Sequence, residues 1–474
     1  MAAVAADTDA VPASTNAAVA LLADPHEALT ARIALIDAAR ASIDAQYYLW
    51  FHDTAGRLLM QRLLAAADRG VRVRVLLDDI QVVLRDLPWV ALAHHPRIEV
   101  RVVNPFRVRG RPRLRRVLEG LARFSLLNRR MHNKALIVDG IEAIVGGRNI
   151  GNEYFGISGA SNFRDLDVLV SGAAAGAIGA SFERFWTAEL ACPMLELNRV
   201  RLTPLRLARG RARLDRFAGK ALIALAEVYP SLAVVGAEIA RLRNRMAPAS
   251  VRVLADTPDK FEADTESVVE AVCALTDRAE HEVLLESAYF VPTASRVEAL
   301  AALRARGVRV RVLTNSLAST DVPLVHGGYA RWRGTLIDAG VELHELRPTW
   351  LRPLRFDWRR PSRRASLHTK AGVVDRRYAI VGSMNLDPRS AALNSEIGVL
   401  IDCPSLAAAL CALLDRSASP DHAYAVERAA DGRLRWRGQD PTGAATVERR
   451  EPLAGRWRRA VATLTRLLPI ERWL

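Results

Sequence analysis

Two stretches of the chain carry the same set of reactive side chains. Met131–Asn149 reads MHNKALIVDGIEAIVGGRN and Leu367–Asn385 reads LHTKAGVVDRRYAIVGSMN. Each holds a His, a Lys two residues on, an Asp five residues after the Lys, and a closing Gly-x-x-Asn. The residues are His132, Lys134, Asp139 and Asn149, then His368, Lys370, Asp375 and Asn385. The two histidines and the two asparagines are both 236 residues apart. An imidazole can attack phosphorus or carry a proton, and an ammonium can hold an anionic oxygen. Two copies in step imply one phosphodiester site built by two halves. One histidine would form a phosphohistidine. The other would protonate the departing alkoxide, then deprotonate the incoming alcohol or water. Lys134 and Lys370 would offset charge in the transition state, while Asn149, Asn385 and Ser383 would bind phosphate oxygens. With two ammonium groups in place, no metal and no cofactor is expected.

Lysine usage supports this reading. The chain has 67 Lys plus Arg but only four lysines, Lys134, Lys220, Lys260 and Lys370. Arginine serves almost everywhere else, yet half of the lysines fall in the two His-x-Lys units. A compact ammonium fits a tight phosphate site where a planar guanidinium does not. Each imidazole also needs an acceptor to fix its tautomer. Glu396, 28 residues after His368, and Asp165, 33 residues after His132, occupy matching places and are the His-orienting candidates. Asp139 and Asp375 belong to the signature but follow their strands at a turn, where a structural role fits.

The elements that must position these groups repeat as well. RGVRVRVL occurs at 69–76 and again at 306–313. Alternating Val and Arg predict a half-buried strand, and the preceding Leu/Ala-rich stretches predict helices. IDAQYYLW matches VLLESAYF upstream, and RDLDVLV matches SEIGVLI downstream. Each half reads as alternating strands and helices, a basic loop, the motif strands, a further strand and a helix. This predicts an α/β class fold of two tandem sandwich halves with mixed sheets. His and Lys on alternate residues of a strand would share one face. Gly146, Gly147 and Gly382 would let the chain turn close to a ligand.

The expected divisions are a flexible N-terminus (1–23), a first half (24–196), a helical connector (197–250), a second half (251–415) and a C-terminal extension (416–474). In the extension, Trp457, Val461, Leu464 and Leu468 fall at helical steps. That amphipathic helix either packs on the protein or lies at a membrane interface. The four cysteines show no metal or disulfide spacing. No signal peptide and no membrane span are expected. Net charge is +15. Nine arginines fall between Pro105 and Arg130 and seven between Arg347 and Arg364, each run just before a motif. Such basic lips would attract phospholipid headgroups or nucleic acid.

The paired HxKx4D signatures, with GGRN and GSMN, resemble the phospholipase D superfamily across roughly Asp24 to Leu414. More narrowly, QYYLW, RVRVLLDD, GGRNIGNEYF, SAYFVPT, LTNSLASTDVPLVHGGYARWR and GSMNLDPRS look like bacterial cardiolipin synthases, in particular the cardiolipin synthase C-like branch without N-terminal transmembrane helices. The resemblance implies two pseudo-twofold halves with one shared site, and His132, Lys134, Asp139, His368, Lys370 and Asp375 as the catalytic set. It implies His132 as nucleophile and His368 as acid/base. It also implies transfer of a phosphatidyl group from phosphatidylethanolamine or phosphatidylglycerol to phosphatidylglycerol. Hydrolysis to phosphatidic acid and a nuclease of the same superfamily are the alternatives. The expected partner is an anionic membrane surface, peripherally at the inner membrane, with no nucleic acid. Sequence does not set the oligomeric state.

Overall fold

A computed structural model describes residues 15–82, 86–109, 118–120, 123, 127–198, 200–229, 232, 234–260, 267–348, 364–440 and 442–467. The repeat becomes one long mixed sheet. From one edge, the first half contributes Ala191–Pro193, Ile98–Val103, Arg72–Asp78, Ser42–Tyr47, Ala135–Val138, Glu142–Gly146, Asp167–Gly172 and Thr15–Leu22. The second half continues with Ala247–Ala255, Ile397–Asp402, Tyr378–Gly382, Lys370–Val374, Glu282–Ser287, Arg309–Asn315, Glu342–Leu346 and Ala423–Arg428. The order is a palindrome about the pair Thr15–Leu22 and Ala247–Ala255. These two strands run antiparallel, with Ala17 opposite Ala249, as twofold symmetry requires. Among the described residues no pairing joins the outermost strands, so the sheet is open.

Two expectations change here and one gains a position. Residues 15–22, read within a flexible N-terminus, are the first half's seam strand, with Val19 and Leu22 buried. Alanine-rich and weakly amphipathic, this segment lacks a strand signal of its own, and its position between two strands decides its state. The connector is helical, with Pro204–Ala226 and Val235–Arg245, but it packs on the first half. Leu225 and Leu242 join that half's core, and Arg241 and Arg243 pair with Glu27 and Glu142. The extension, expected to carry a helix, also carries strands: Ala423–Arg428, Leu434–Gln439 and Ala445–Glu448 prolong the sheet before the helix Arg456–Leu467.

The RVRVL alternation works as expected. Val73 and Val75 enter the core beneath helices Pro25–Ala38 and Thr54–Asp68. Arg74, on the other face, is clasped by Asp44 and Glu183 and stacks on Phe182 and Trp186. Helices Ala173–Thr187 and Pro404–Ser417 cover that face of both halves in one apolar cluster. No helix among the described residues is long and apolar enough to cross a membrane.

Candidate active site

Each motif sits where the chain changes sheets. Arg130–Met131 pairs in parallel with Asn394–Ser395 of the second half, and Ala365–Leu367 pairs in parallel with Asn162–Arg164 of the first. The chain then leaves this crossing ladder and enters the main sheet at Ala135 and Lys370. His132 and His368 lie in the breaks, so the expected uninterrupted motif strand is interrupted there. The His132 amide donates to the Ser395 carbonyl at 2.9 Å, and the His368 amide to the Arg164 carbonyl at 2.8 Å. Asn133 and Thr369, between His and Lys, face the opposite half. Asn133 accepts from the Ser395 hydroxyl at 2.8 Å, and Thr369 donates to the Arg164 carbonyl at 3.1 Å.

The crossing exchanges the acids. His132 Nδ1 lies 2.8 Å from Glu396 Oε2, and His368 Nδ1 lies 2.6 Å from Asp165 Oδ2. Glu396 and Asp165 therefore orient the imidazole of the half to which they do not belong, whereas sequence counting referred each to its own half. A carboxylate at Nδ1 holds the proton there and leaves Nε2 with its lone pair. All four side chains are buried.

The two copies differ in how they hold the acid. Ser383 donates to Glu396 Oε2 at 2.5 Å and accepts from the Ile397 amide at 3.0 Å, and Ser390 donates to Oε1 at 2.8 Å. Ser383, expected on phosphate, is thus committed to Glu396. Gly147 holds the matching place, and a Cβ there would meet Asp165 Oδ1 at 2.1 Å. The shorter acid fills the room that the missing side chain leaves. Gly146 and Gly382 face the neighbouring strand rather than a ligand: a Cβ would meet the Leu166 carbonyl at 2.5 Å or the Ile397 carbonyl at 2.6 Å.

Lys134 and Lys370 are buried, and each ammonium donates to the carbonyl of its own motif histidine. Burial lowers both lysines, Lys134 to about 7, and the Lys370 charge depresses Lys134 further. Burial also lowers His132 to about 4, against the pull of Glu396. His368 is lowered by burial and by Lys370, against Asp165. Each histidine feels the lysine of the other half as well as its own, which marks one shared electrostatic site. Burial, more than charge repulsion, lowers these groups, and a phosphate oxygen beside them would favour their charged forms.

Asn149 is buried, with Oδ1 accepting from the Leu49 amide and Nδ2 donating to the Tyr154 hydroxyl, both at 3.0 Å. The second Nδ2–H has no partner among the described residues and could serve a ligand. Asn385 is buried, and its Oδ1 has no partner among the described residues. Asp139 and Asp375 do not join the site, which corrects their place in the catalytic set. Asp139 accepts from the amides of Arg40, Ala41 and Ser42, and Asp375 from those of Glu280, His281 and Glu282. Five residues of extended chain separate each from its lysine, about 16 Å. Both have positive φ, 52° and 51°, at the turn they fasten.

Sequence reasoning missed several supporting groups. Asp78 accepts from the Met131 amide at 3.1 Å, and Asn315 accepts from the Leu367 amide at 2.9 Å. They end LLD and LTN at the same repeat position, so register alone could have found them. Tyr48 packs edge-on against His132, and Tyr154 does the same against His368. Of the basic segments, 110–117 and 349–363 lie outside the described residues. Among the described ones, Arg109 pairs with Asp79 and Asp86, and Arg130 with Asp78, so part of the first lip is neutralised internally.

Two crossed His–acid pairs beside two buried lysines, on twin α/β halves, define a phosphodiester-transfer fold of the phospholipase D type. The family described as cardiolipin synthase, PLD-like domain, matches residues 33–186 and 272–417, and the chain belongs to that family. It is 36% identical over 461 residues to cardiolipin synthase C of Escherichia coli (strain K12), covering 94% of each chain. It is 27% identical over 394 residues to cardiolipin synthase A of Pseudomonas putida (strain W619), covering 82% of this chain and 66% of that one. Among solved structures, phosphatidylserine synthase of Haemophilus influenzae Rd KW20 superimposes with a TM-score of 0.59 at 15% identity, covering 96% and 95% of the two chains, and so shares the fold.

Proposed function

We propose that this protein is a cardiolipin synthase-type phosphatidyltransferase, moving a phosphatidyl group from phosphatidylethanolamine or phosphatidylglycerol to phosphatidylglycerol. The observation that carries the reading is the crossed pairing, which leaves two Nε2 atoms available to one phosphodiester. His132, neutral at pH 7, attacks phosphorus through Nε2. The bond to the headgroup oxygen breaks, and His368, protonated at Nε2 once the anion is bound, gives that oxygen its proton. Neutral His368 then takes the proton of a phosphatidylglycerol hydroxyl. The alkoxide attacks phosphorus, the P–N bond breaks and cardiolipin leaves. Lys134, Lys370 and the free amide N–H of Asn149 hold the non-bridging oxygens. Glu396 and Asp165 offset the imidazolium charge as it develops.

Both substrates are bilayer lipids, so the protein works peripherally at the inner membrane, on its cytoplasmic face. The test is incubation of purified protein with labelled phosphatidylglycerol, with and without phosphatidylethanolamine, followed by chromatography. Labelled cardiolipin is expected, and its dependence on phosphatidylethanolamine names the donor. Phosphatidic acid as the main product would replace transfer by hydrolysis.

A further inference from the structure

The helix Arg456–Leu467 has an inward and an outward face. Inward, Ala462 and Thr465 are buried, and Thr465 presses on Gly327 of helix Pro323–Asp338, where a Cβ would meet its Oγ1 at 1.9 Å. Arg458 donates to the carbonyls of Leu317 and Thr320 at 3.0 and 2.7 Å. Arg459 donates to the Glu451 carbonyl at 2.8 Å. The Glu451 carboxylate in turn accepts from Arg333 at 2.8 Å, and Arg333 meets Glu345 at 3.0 Å. The helix is therefore clamped to the second half by half-buried arginines on backbone carbonyls, one of them that of Glu451, whose carboxylate joins the buried Arg333–Glu345 pair. Outward, Trp457 is 79% and Leu464 61% exposed. Seven residues apart, they share one side of the helix. Leu453, just before the helix, is 64% exposed. Arg456, also exposed, borders the pair, and Arg466 is exposed at the far edge of the outward face.

The clamp leads to the site. The segment gripped by Arg458 follows Asn315, whose side chain holds both the amide and the carbonyl of Leu367, next to His368. It ends at Asp321, which both binds the Tyr289 hydroxyl and acts electrostatically on Lys370. One loop thus separates the helix from the second motif.

We propose that this outward face is a membrane-docking surface whose occupant is a bilayer rich in anionic phospholipid. For the identity of the lipid, this rests on the phosphatidyltransferase reading. Exposed Trp457 and Leu464 on the same outward face as Arg456 match an anionic interface, where Trp and Leu enter the headgroup region and Arg meets phosphate. Because the helix is fixed to the loop that supports His368, docking would set the orientation of the site towards the bilayer.

The test is flotation of the full chain with phosphatidylglycerol vesicles and with phosphatidylcholine vesicles. Activity is measured in parallel on short-chain phosphatidylglycerol below its micelle concentration. The double substitution W457S/L464S, and separately R456E/R466E, should each reduce partition onto phosphatidylglycerol vesicles by about tenfold or more. Both should keep the parental rate on dispersed lipid. Parental flotation of both variants would overturn the proposal, as would parental binding that is equal on the two vesicle types. If W457S/L464S unfolds, R456E/R466E decides alone, because its changes lie on exposed positions. A parent that floats but makes no cardiolipin from dispersed lipid would refute the enzymatic reading and leave the docking result standing.

Discussion

Asp165 Oδ2 lies 2.6 Å from Nδ1 of His368, a residue 203 positions away in the other half. Glu396 makes the reciprocal contact with His132. Neither half alone contains a complete His–acid pair, so the duplication is functional only when both copies are folded together. The crossing also gives each acid a separable task. Asp165→Asn should impair the acid/base step, and Glu396→Gln the nucleophilic one, each lowering kcat on the order of 10³- to 10⁴-fold. A phosphodiester with a p-nitrophenolate leaving group needs no proton from the enzyme. On it, the first-turnover burst of nitrophenol from Asp165→Asn should return close to the parent, with later turnovers still slow because His368 must activate the acceptor, while Glu396→Gln shows a slow burst as well. The opposite pattern would exchange the roles of the two histidines.

The inequality of the copies makes a steric prediction. Gly147→Ser places a Cβ where Asp165 Oδ1 stands, at 2.1 Å. Activity should fall below detection, with a lowered melting temperature. Ser383→Gly removes a hydroxyl that donates to Glu396 and accepts from the Ile397 amide. It should cost about 1 kcal/mol of stability and a moderate share of kcat. Calorimetry and initial rates check both, and equal effects would show that the two sites hold their acids alike.

Asp139 and Asp375 fasten backbone turns. Asp139→Ala abandons three amides, with an expected loss of about 1–3 kcal/mol. The rate per folded molecule should stay near the parent. A fully folded but inactive Asp139→Ala protein would return this residue to the catalytic set.

Much of this arrangement was legible before folding. The two signatures, the repeated RVRVL strands and the matched acids mark two α/β halves and one site, because each recurs at nearly fixed separation. The crossing was not legible. Which histidine an acid serves depends on the short ladders that Arg130–Met131 and Ala365–Leu367 make with the opposite half, and two or three residues carry too little pattern to reveal their partner. Ser383 misled for a related reason, since a hydroxyl near phosphate ligands suits a ligand or an acid equally well until distances choose. Residues 15–22 were missed because a seam strand of small residues takes its identity from its two neighbours.

Acid should weaken the fold. Burial depresses His132 to about 4 and lowers His368. The unfolded chain takes up these protons from about pH 6.5 downward while the folded chain does not, so stability is lost as pH falls from 6.5 towards 4. For His132 the loss amounts to about 3 kcal/mol. Glu396 and Asp165, both held down by their histidines, add to the loss with the same sign below the ordinary carboxylate range. Lys134 acts over a different window. Its burial cost is present in full below about pH 7 and is relieved as pH rises towards 10.5. Melting temperature should therefore rise from pH 5 to pH 8, less steeply in His132→Gln. The same lysine sets the rate: kcat/KM should fall above pH 7, while kcat holds further because bound phosphate keeps the ammonium charged. A kcat/KM flat from pH 6 to 9 would contradict a phosphate-binding role for Lys134.

Lys260 supplies the last prediction. It lies outside both motifs, yet its ammonium donates to Asp256 Oδ2 at 2.7 Å and to the carbonyls of Asn394 and Ser390 at 2.9 and 3.0 Å. Asp256 Oδ2 accepts the Glu396 amide at 2.9 Å, and the Ser390 hydroxyl bonds Glu396 Oε1. Three acceptors converge on three N–H bonds, a geometry that a planar guanidinium cannot reproduce. Arg148 serves the other copy differently, donating to the Asp165 carbonyl at 2.5 Å. Lys260 is thus a positioning residue for the Glu396–His132 pair. Lys260→Met strands a buried carboxylate and should cost about 3–5 kcal/mol. Lys260→Arg keeps the charge and should recover most of that stability. It should not recover the placement of Glu396, so kcat stays down by about 10²-fold with KM near the parent. A stable Lys260→Arg enzyme with parental kcat would reduce Lys260 to a structural ion pair.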